Sequence, residues 1–227
     1  MRIGILMAGH VMDEMRPDFG DMDAQFHRLL EGHGFDFTTY AVVDDVFPAS
    51  PEDHDGWIIT GSKFGTYDGH DWIARLEELV RAIYAADRPL VGICFGHQII
   101  AQALGGVNEK FGGGWSLGHQ TYRLADGRTR KVMAWHQDQV TSAPEGAACV
   151  GSSEFCRNAY LLYGDRAYTM QPHPEFSASF TDGLLHHRRA GLPADLAQQA
   201  EDHMTRPLDT AASADEIARF LKTRSLT

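Results

Sequence analysis

Apolar runs and amphipathic stripes alternate along roughly the first hundred residues. Residues 3–7 form a short apolar run that predicts a buried strand. After a polar stretch holding Asp13, Asp18 and Asp21, the positions Met22, Phe26, Leu29 and Leu30 recur at helical spacing, and Gly32 or Gly34 closes that helix. The β-branched and aromatic run 35–43 predicts a strand. So does Trp57-Ile58-Ile59-Thr60, which stops abruptly at Gly61-Ser62. Trp72, Ile73, Leu76, Leu79, Val80, Ile83 and Tyr84 place one wide apolar stripe on a helix of about four turns. Pro89 ends it, and Leu90-Val91-Gly92-Ile93 is another buried strand. Strands apolar on both faces, separated by amphipathic helices, predict a parallel sheet covered on both sides.

From about Gly113 to Met170 the pattern changes. Short β-rich runs at 120–124, 131–134 and 167–170 are divided by Gly, Asp and Pro turns, which predicts antiparallel strands added to the same domain. The chain then returns to helix over about 177–227. There Ser213-Ala214-Asp215-Glu216 reads as a capping box ahead of Ile217, Phe220 and Leu221. With no repeat and no Ser/Gly linker, one α/β domain over residues 1–227 is expected: a mostly parallel central sheet flanked by helices, with added antiparallel strands.

The 20 basic and 31 acidic residues give a net charge of −11, the wrong sign for a dedicated binder of nucleic acid or anionic membrane. No apolar run approaches the length of a membrane span, and the start has too short an apolar core for a signal peptide. Cys94, Cys149 and Cys156 show no CxxC spacing, which argues against a disulfide framework or zinc ribbon. A soluble protein of the reducing cytoplasm is expected. The 12 histidines show no HExxH or Cys/His ligand spacing, so no metal and no cofactor is expected.

Chemistry concentrates in two segments. Gly92-Ile93-Cys94-Phe95-Gly96-His97-Gln98 follows a predicted buried strand and opens the helical run 98–104. A Gly-x-nucleophile-x-Gly stretch in that setting is a nucleophile elbow, with Cys94 at a helix N-terminus whose dipole favours thiolate. The alternative is a buried core cysteine after a strand. A thiolate nucleophile needs a base, and the base needs a group to orient it. Gln171-Pro172-His173-Pro174-Glu175 supplies both, with Glu175 placed on the same side of an extended segment as His173.

Together these segments resemble the nucleophile and His-Pro-Glu segments of the class I, triad-type glutamine amidotransferases. Thr60-Gly61-Ser62-Lys63 with Tyr67-Asp68 is similar to the family's oxyanion loop, and the run 135–140 (Trp-His-Gln-Asp-Gln-Val) resembles the loop lining its glutamine pocket. The four segments occur in the family's order over residues 60–175; within the family the chain most resembles the stand-alone branch that includes γ-glutamyl peptidases. The resemblance implies a flavodoxin-like core and a Cys94–His173–Glu175 triad. Cys94 attacks a γ-amide carbon to form a γ-glutamyl thioester. The oxyanion is held by backbone N–H groups of Phe95 and of the Gly61-Ser62 turn, with Ser62 as the donor. Gln98, Gln137 and Asp138 bind the substrate. Family oxyanion loops often carry Gly-Gly-Pro or Asn-Gly-Pro, whereas here Lys63 follows Gly61-Ser62.

The expected partner is a small molecule, glutamine or a γ-glutamyl compound. Two outcomes remain open at this point: a stand-alone hydrolase or transferase, or a glutaminase subunit passing ammonia to a separate synthase. A degenerate homologue that binds a metabolite is a third. A dienelactone-hydrolase-type enzyme also uses a cysteine elbow, but its chain order of nucleophile, acid, histidine does not match. Of the other residues, His97 is expected to pack behind the elbow, His136 to border the pocket or act structurally, and His186-His187 to sit on a solvated helix face. Gly112-Gly113-Gly114 reads as a flexible loop; for Trp115 beside it a structural position is favoured over covering the substrate opening. Cys149 and Cys156 read as buried thiols.

Overall fold

The computed structural model describes residues 1–227. β1 (Arg2–Leu6) leads through the one-turn helix α1 (Arg16–Phe19) and through α2 (Met22–Leu29) to β2 (Asp36–Tyr40). α2 begins where the Asp21 carboxylate accepts the Met22 N–H. β3 (Gly56–Ile59), α3 (Asp71–Ala85), β4 (Leu90–Ile93) and α4 (Phe95–Ala103) follow. β3 and β4 are buried along their whole length, as strands covered on both faces must be. Alternate residues feed two cores. Ile3, Ile5, Ile58, Val91 and Ile93 pack beneath Phe26 and the C-terminal helix, while Leu6, Trp57, Ile59 and Leu90 pack against the α3 stripe.

The second half adds β5 (Val107–Lys110), β6 (Ser116–Leu124), β7 (Thr129–His136), β8 (Asp138–Ser142), β9 (Ala148–Ser152), β10 (Tyr160–Tyr163) and β11 (Ala167–Met170). Three helices close the chain: α5 (Ala178–Arg188), α6 (Ala194–Asp202) and α7 (Thr210–Thr223). The main sheet has nine strands in the order β2-β1-β3-β4-β11-β10-β9-β6-β7. It is parallel from β2 to β11 and antiparallel from β11 to β7. β5 and β8 form a separate antiparallel pair. No helix is long and apolar enough to cross a membrane.

Four local expectations are corrected. The run 167–170 is not simply an antiparallel addition: β11 pairs antiparallel with β10 and parallel with β4, so it joins the two halves of the sheet. A four-residue buried run carries no mark of its direction. The stretch 135–140 is mostly strand, with Gln137 alone separating β7 from β8. Residues 213–216 are not a capping box. α7 starts one turn earlier, Ser213 donates to the Asp209 carbonyl, and Glu216 is buried against Arg130 at 2.7 Å. Finally, Cys149 is exposed, whereas Cys156 is buried.

Candidate active site

The carboxyl ends of β3, β4 and β11 place three segments side by side. β4 turns directly into α4 at Cys94, which has φ 51° and ψ −102°, a strained conformation for a residue with a side chain. Two glycines make that turn sterically feasible. A Cβ on Gly92 would lie 2.5 Å from the Gly96 carbonyl oxygen, and one on Gly96 only 2.3 Å from that of Ile59. The elbow is also tied across the sheet. Cys94 N–H donates to Met170 at 2.9 Å, and Gly96 N–H donates to Thr60 at 3.2 Å. Behind it His97 is fully buried, its Nδ1 2.7 Å from Thr169 Oγ1. Burial pushes His97 down to about 3, so it is a neutral post.

After β11, the His173 N–H donates to the Met133 carbonyl at 2.8 Å. The next residues form a turn and not the extended segment expected from the sequence. Phe176 N–H returns to the His173 carbonyl at 3.3 Å, closing a turn with Pro174 at its second position. That turn brings Glu175 Oε1 to 2.7 Å from His173 Nδ1 and stacks the Phe176 ring on the imidazole, with centroids 4.0 Å apart and planes 7° apart. Cys94 acts on the same imidazole by raising its proton affinity, and with Nδ1 committed to Glu175 the nitrogen left for the sulfur is Nε2. Cys94, His173 and Glu175 are 6%, 3% and 7% exposed, so their charges interact with little screening by water. Burial works against the imidazolium, yet the Glu175 charge and the Cys94 sulfur outweigh it and push His173 up to about 10. Burial lowers neighbouring His136 to about 3, leaving it neutral beside the charged ring. The Glu175 oxygen not facing His173 has no partner.

The turn after β3 meets the imidazole from another side. A Cβ on Gly61 would sit 2.9 Å from His173 Cε1. Ser62 N–H donates to no protein acceptor, while Ser62 Oγ accepts the Phe64 N–H at 3.1 Å. Lys63 points into solvent, its Nζ 5.2 Å from the centre of the Phe64 ring.

Residues 21–188 match the family described as glutamine amidotransferase class-I. The chain belongs to that family. A glutamine amidotransferase-like protein of Schizosaccharomyces pombe is 30% identical over 243 residues, covering 96% of this chain and 98% of its own. γ-Glutamyl peptidase 3 of Arabidopsis thaliana is 29% identical over 192 residues, 78% of this chain and 77% of its own. A solved glutamine amidotransferase structure from Methylobacillus flagellatus shares the fold, with a TM-score of 0.77 at 21% identity over 99% of this chain and 92% of that one.

For this member of the class-I amidotransferases, the structure gathers the sequence-read residues unevenly. His173 meets Glu175 and acts with Cys94, and Gly61 abuts the imidazole, with Ser62 and Phe95 next in the chain after Gly61 and Cys94. Gln98 is buried, its amide nitrogen held by the Asp138 carbonyl and by Gln171, each at 3.1 Å. The Gln137 carbonyl accepts the Phe111 N–H, and Gln137 N–H has no protein partner. Asp138 turns its carboxylate to the Tyr67 hydroxyl at 2.8 Å, strapping the segment after β3 to the β7–β8 junction. Trp115 is half-buried and packs with Leu117, Leu185 and Ala200 under the tail helices. His186 and His187 are exposed on α5.

A cavity of about 420 Å³ lies behind Glu175, lined in part by Gln25, Arg28, Pro174 and Ser177. Neither Cys94 nor His173 borders it, so it is not the crevice that reaches the sulfur. The motif reading also missed Phe176, and it quoted Thr60 in the oxyanion-loop segment without giving it a role. The available signals were an aromatic residue at the closing position of a Pro-initiated turn and a hydroxyl at the last position of a buried strand.

Proposed function

We propose that this chain hydrolyses a γ-glutamyl amide through a Cys94 thioester. The observation that carries the reading is a His173 imidazole held by Glu175, 2.7 Å from Nδ1, just beyond the end of β11, whose Met170 carbonyl accepts the Cys94 N–H at 2.9 Å. With the proton of the pair already resting on His173, the Cys94 sulfur adds to the γ-carbonyl carbon while the π pair moves to oxygen. Backbone N–H groups of Phe95 and Ser62 receive that oxyanion, and donors of this kind are worth roughly 3 kcal/mol each. Collapse expels the amine, which takes the proton from His173 Nε2. Water then gives a proton to His173 and adds to the thioester, and the sulfur leaves to free glutamate. Glu175 holds the ring's tautomer throughout. The uncommitted amide oxygen of Gln98, the free N–H of Gln137 and the backbone at Asp138 are the groups left to hold the α-amino-acid end. No cofactor enters this sequence, and a free-thiol nucleophile suits a reducing cytoplasm.

A stand-alone γ-glutamyl hydrolase is favoured because relatives named for that activity match this chain at similar length, 77% of its own for γ-glutamyl peptidase 3. The synthase-partner reading also has support. One chain of a glutamine-hydrolysing GMP synthase from Halobacterium salinarum is 30% identical over 161 residues, 66% of this chain and 80% of its own. Glutamate release from glutamine and a panel of γ-glutamyl dipeptides by the purified chain separates the two. Turnover without a partner supports the hydrolase, and turnover only on adding a synthase supports the partnered glutaminase. Cys94→Ser should keep the circular dichroism spectrum and lose at least about a thousandfold in rate. A rate within tenfold of the unaltered chain refutes the nucleophile assignment.

A further inference from the structure

Gly61 is held to glycine by the base beside it, since any Cβ there would press on His173 Cε1. The same missing side chain leaves the Gly61–Ser62 peptide free to rotate. In a trans peptide the carbonyl and the following N–H point to opposite sides. A half-turn of this one plane therefore puts a carbonyl oxygen where the Ser62 N–H stands, and a carbonyl repels an oxyanion. No proline stiffens residues 60–63.

Thr60 opposes the rotation. Its hydroxyl accepts the Ala8 N–H at 3.0 Å, so its single proton goes to the Gly61 carbonyl, 2.9 Å away. The residue is fully buried. Its backbone N–H donates to Leu6 and its carbonyl accepts the elbow's Gly96 N–H, each at 3.2 Å. One hydroxyl thus references the orientation of the Gly61–Ser62 peptide to both β1 and the nucleophile elbow. On the opposite side of that plane the Ser62 N–H is left without a protein partner.

We propose that Thr60 is a positioning residue, its hydroxyl holding the Gly61 carbonyl so that Ser62 N–H is presented to the oxyanion. The inference rests on the thioester reading above and adds to it the group that keeps the oxyanion site formed. The test compares Thr60→Val, which keeps the shape and removes the proton, with Thr60→Ser, which restores it. Both are assayed for kcat and KM on a γ-glutamyl substrate and for the rate of Cys94 alkylation by iodoacetamide, a displacement that forms no oxyanion. Thr60→Val should lower kcat by about 10- to 100-fold, with KM within about threefold and alkylation unchanged, and Thr60→Ser should recover most of the loss. Should Thr60→Val fail to fold because the Ala8 N–H is left buried, Thr60→Ala, which leaves room for a water there, makes the same comparison. A hydroxyl-free variant that turns over within twofold of the unaltered chain overturns the proposal, as does a Thr60→Ser variant no faster than Thr60→Val. Loss of alkylation in step with turnover also overturns it, by placing the damage at the thiol. An unaltered chain with no turnover on any γ-glutamyl amide sinks the thioester reading itself, a different result.

Discussion

Replacing Glu175 with Gln tests the electrostatics of the site while leaving its shape nearly intact. The side chain is wholly buried, and one carboxylate oxygen faces His173 Nδ1 at 2.7 Å. The other oxygen already lacks a partner, so an amide exchanges one unmet polar group for another. Only the charge changes. Against the ordinary histidine value of 6.5, a ring pushed up to about 10 carries a preference of about 5 kcal/mol for its protonated form. Glu175 is the largest of the favourable causes, so Glu175→Gln should lower that preference. The sign follows from linkage. A histidine whose folded value is raised contributes stability that is complete below pH 6.5 and is lost as pH rises to about 10. Denaturant titrations between pH 6.5 and 10 should therefore show the unaltered chain losing stability more steeply than Glu175→Gln. The carbon-bound Hε1 proton of His173, followed by NMR, should titrate at lower pH in the variant. If the ring titrates at the same pH in both proteins, the Glu175 charge is not what keeps the proton there.

Two further outcomes test the scaffold. Gly96→Ala drives a Cβ to 2.3 Å from the Ile59 carbonyl oxygen, a backbone clash no rotamer relieves, so stability should fall by about 3 kcal/mol or more in urea unfolding. A loss under about 1 kcal/mol means that the elbow is not packed as described. Glu216→Ala leaves the buried Arg130 without its partner and takes the acceptor from the Tyr168 hydroxyl, which should cost about 3–5 kcal/mol. The same titration checks it, and Glu216→Ala with Arg130→Met should recover much of the loss by removing the unpaired charge.

Periodicity alone determined that β3 and β4 are covered on both faces and that α3 carries one apolar stripe, because a doubly covered strand must be apolar throughout and a half-buried helix must be amphipathic. The elbow was legible for a related reason. Cys94 at φ 51° needs Gly92 and Gly96 in fixed places along the chain, and that constraint is written locally. What the sequence could not carry is anything set by two distant strands meeting. The direction of β11, the burial of Glu216 against Arg130 and the bond from Gln98 to the Asp138 carbonyl each depend on partners far along the chain. The proposed triad divides along the same line. Its residue types stand in two short segments, but the proton affinity of His173 and the holding of the Gly61 carbonyl by Thr60 exist only once the carboxyl ends of β3, β4 and β11 lie together with water excluded between them.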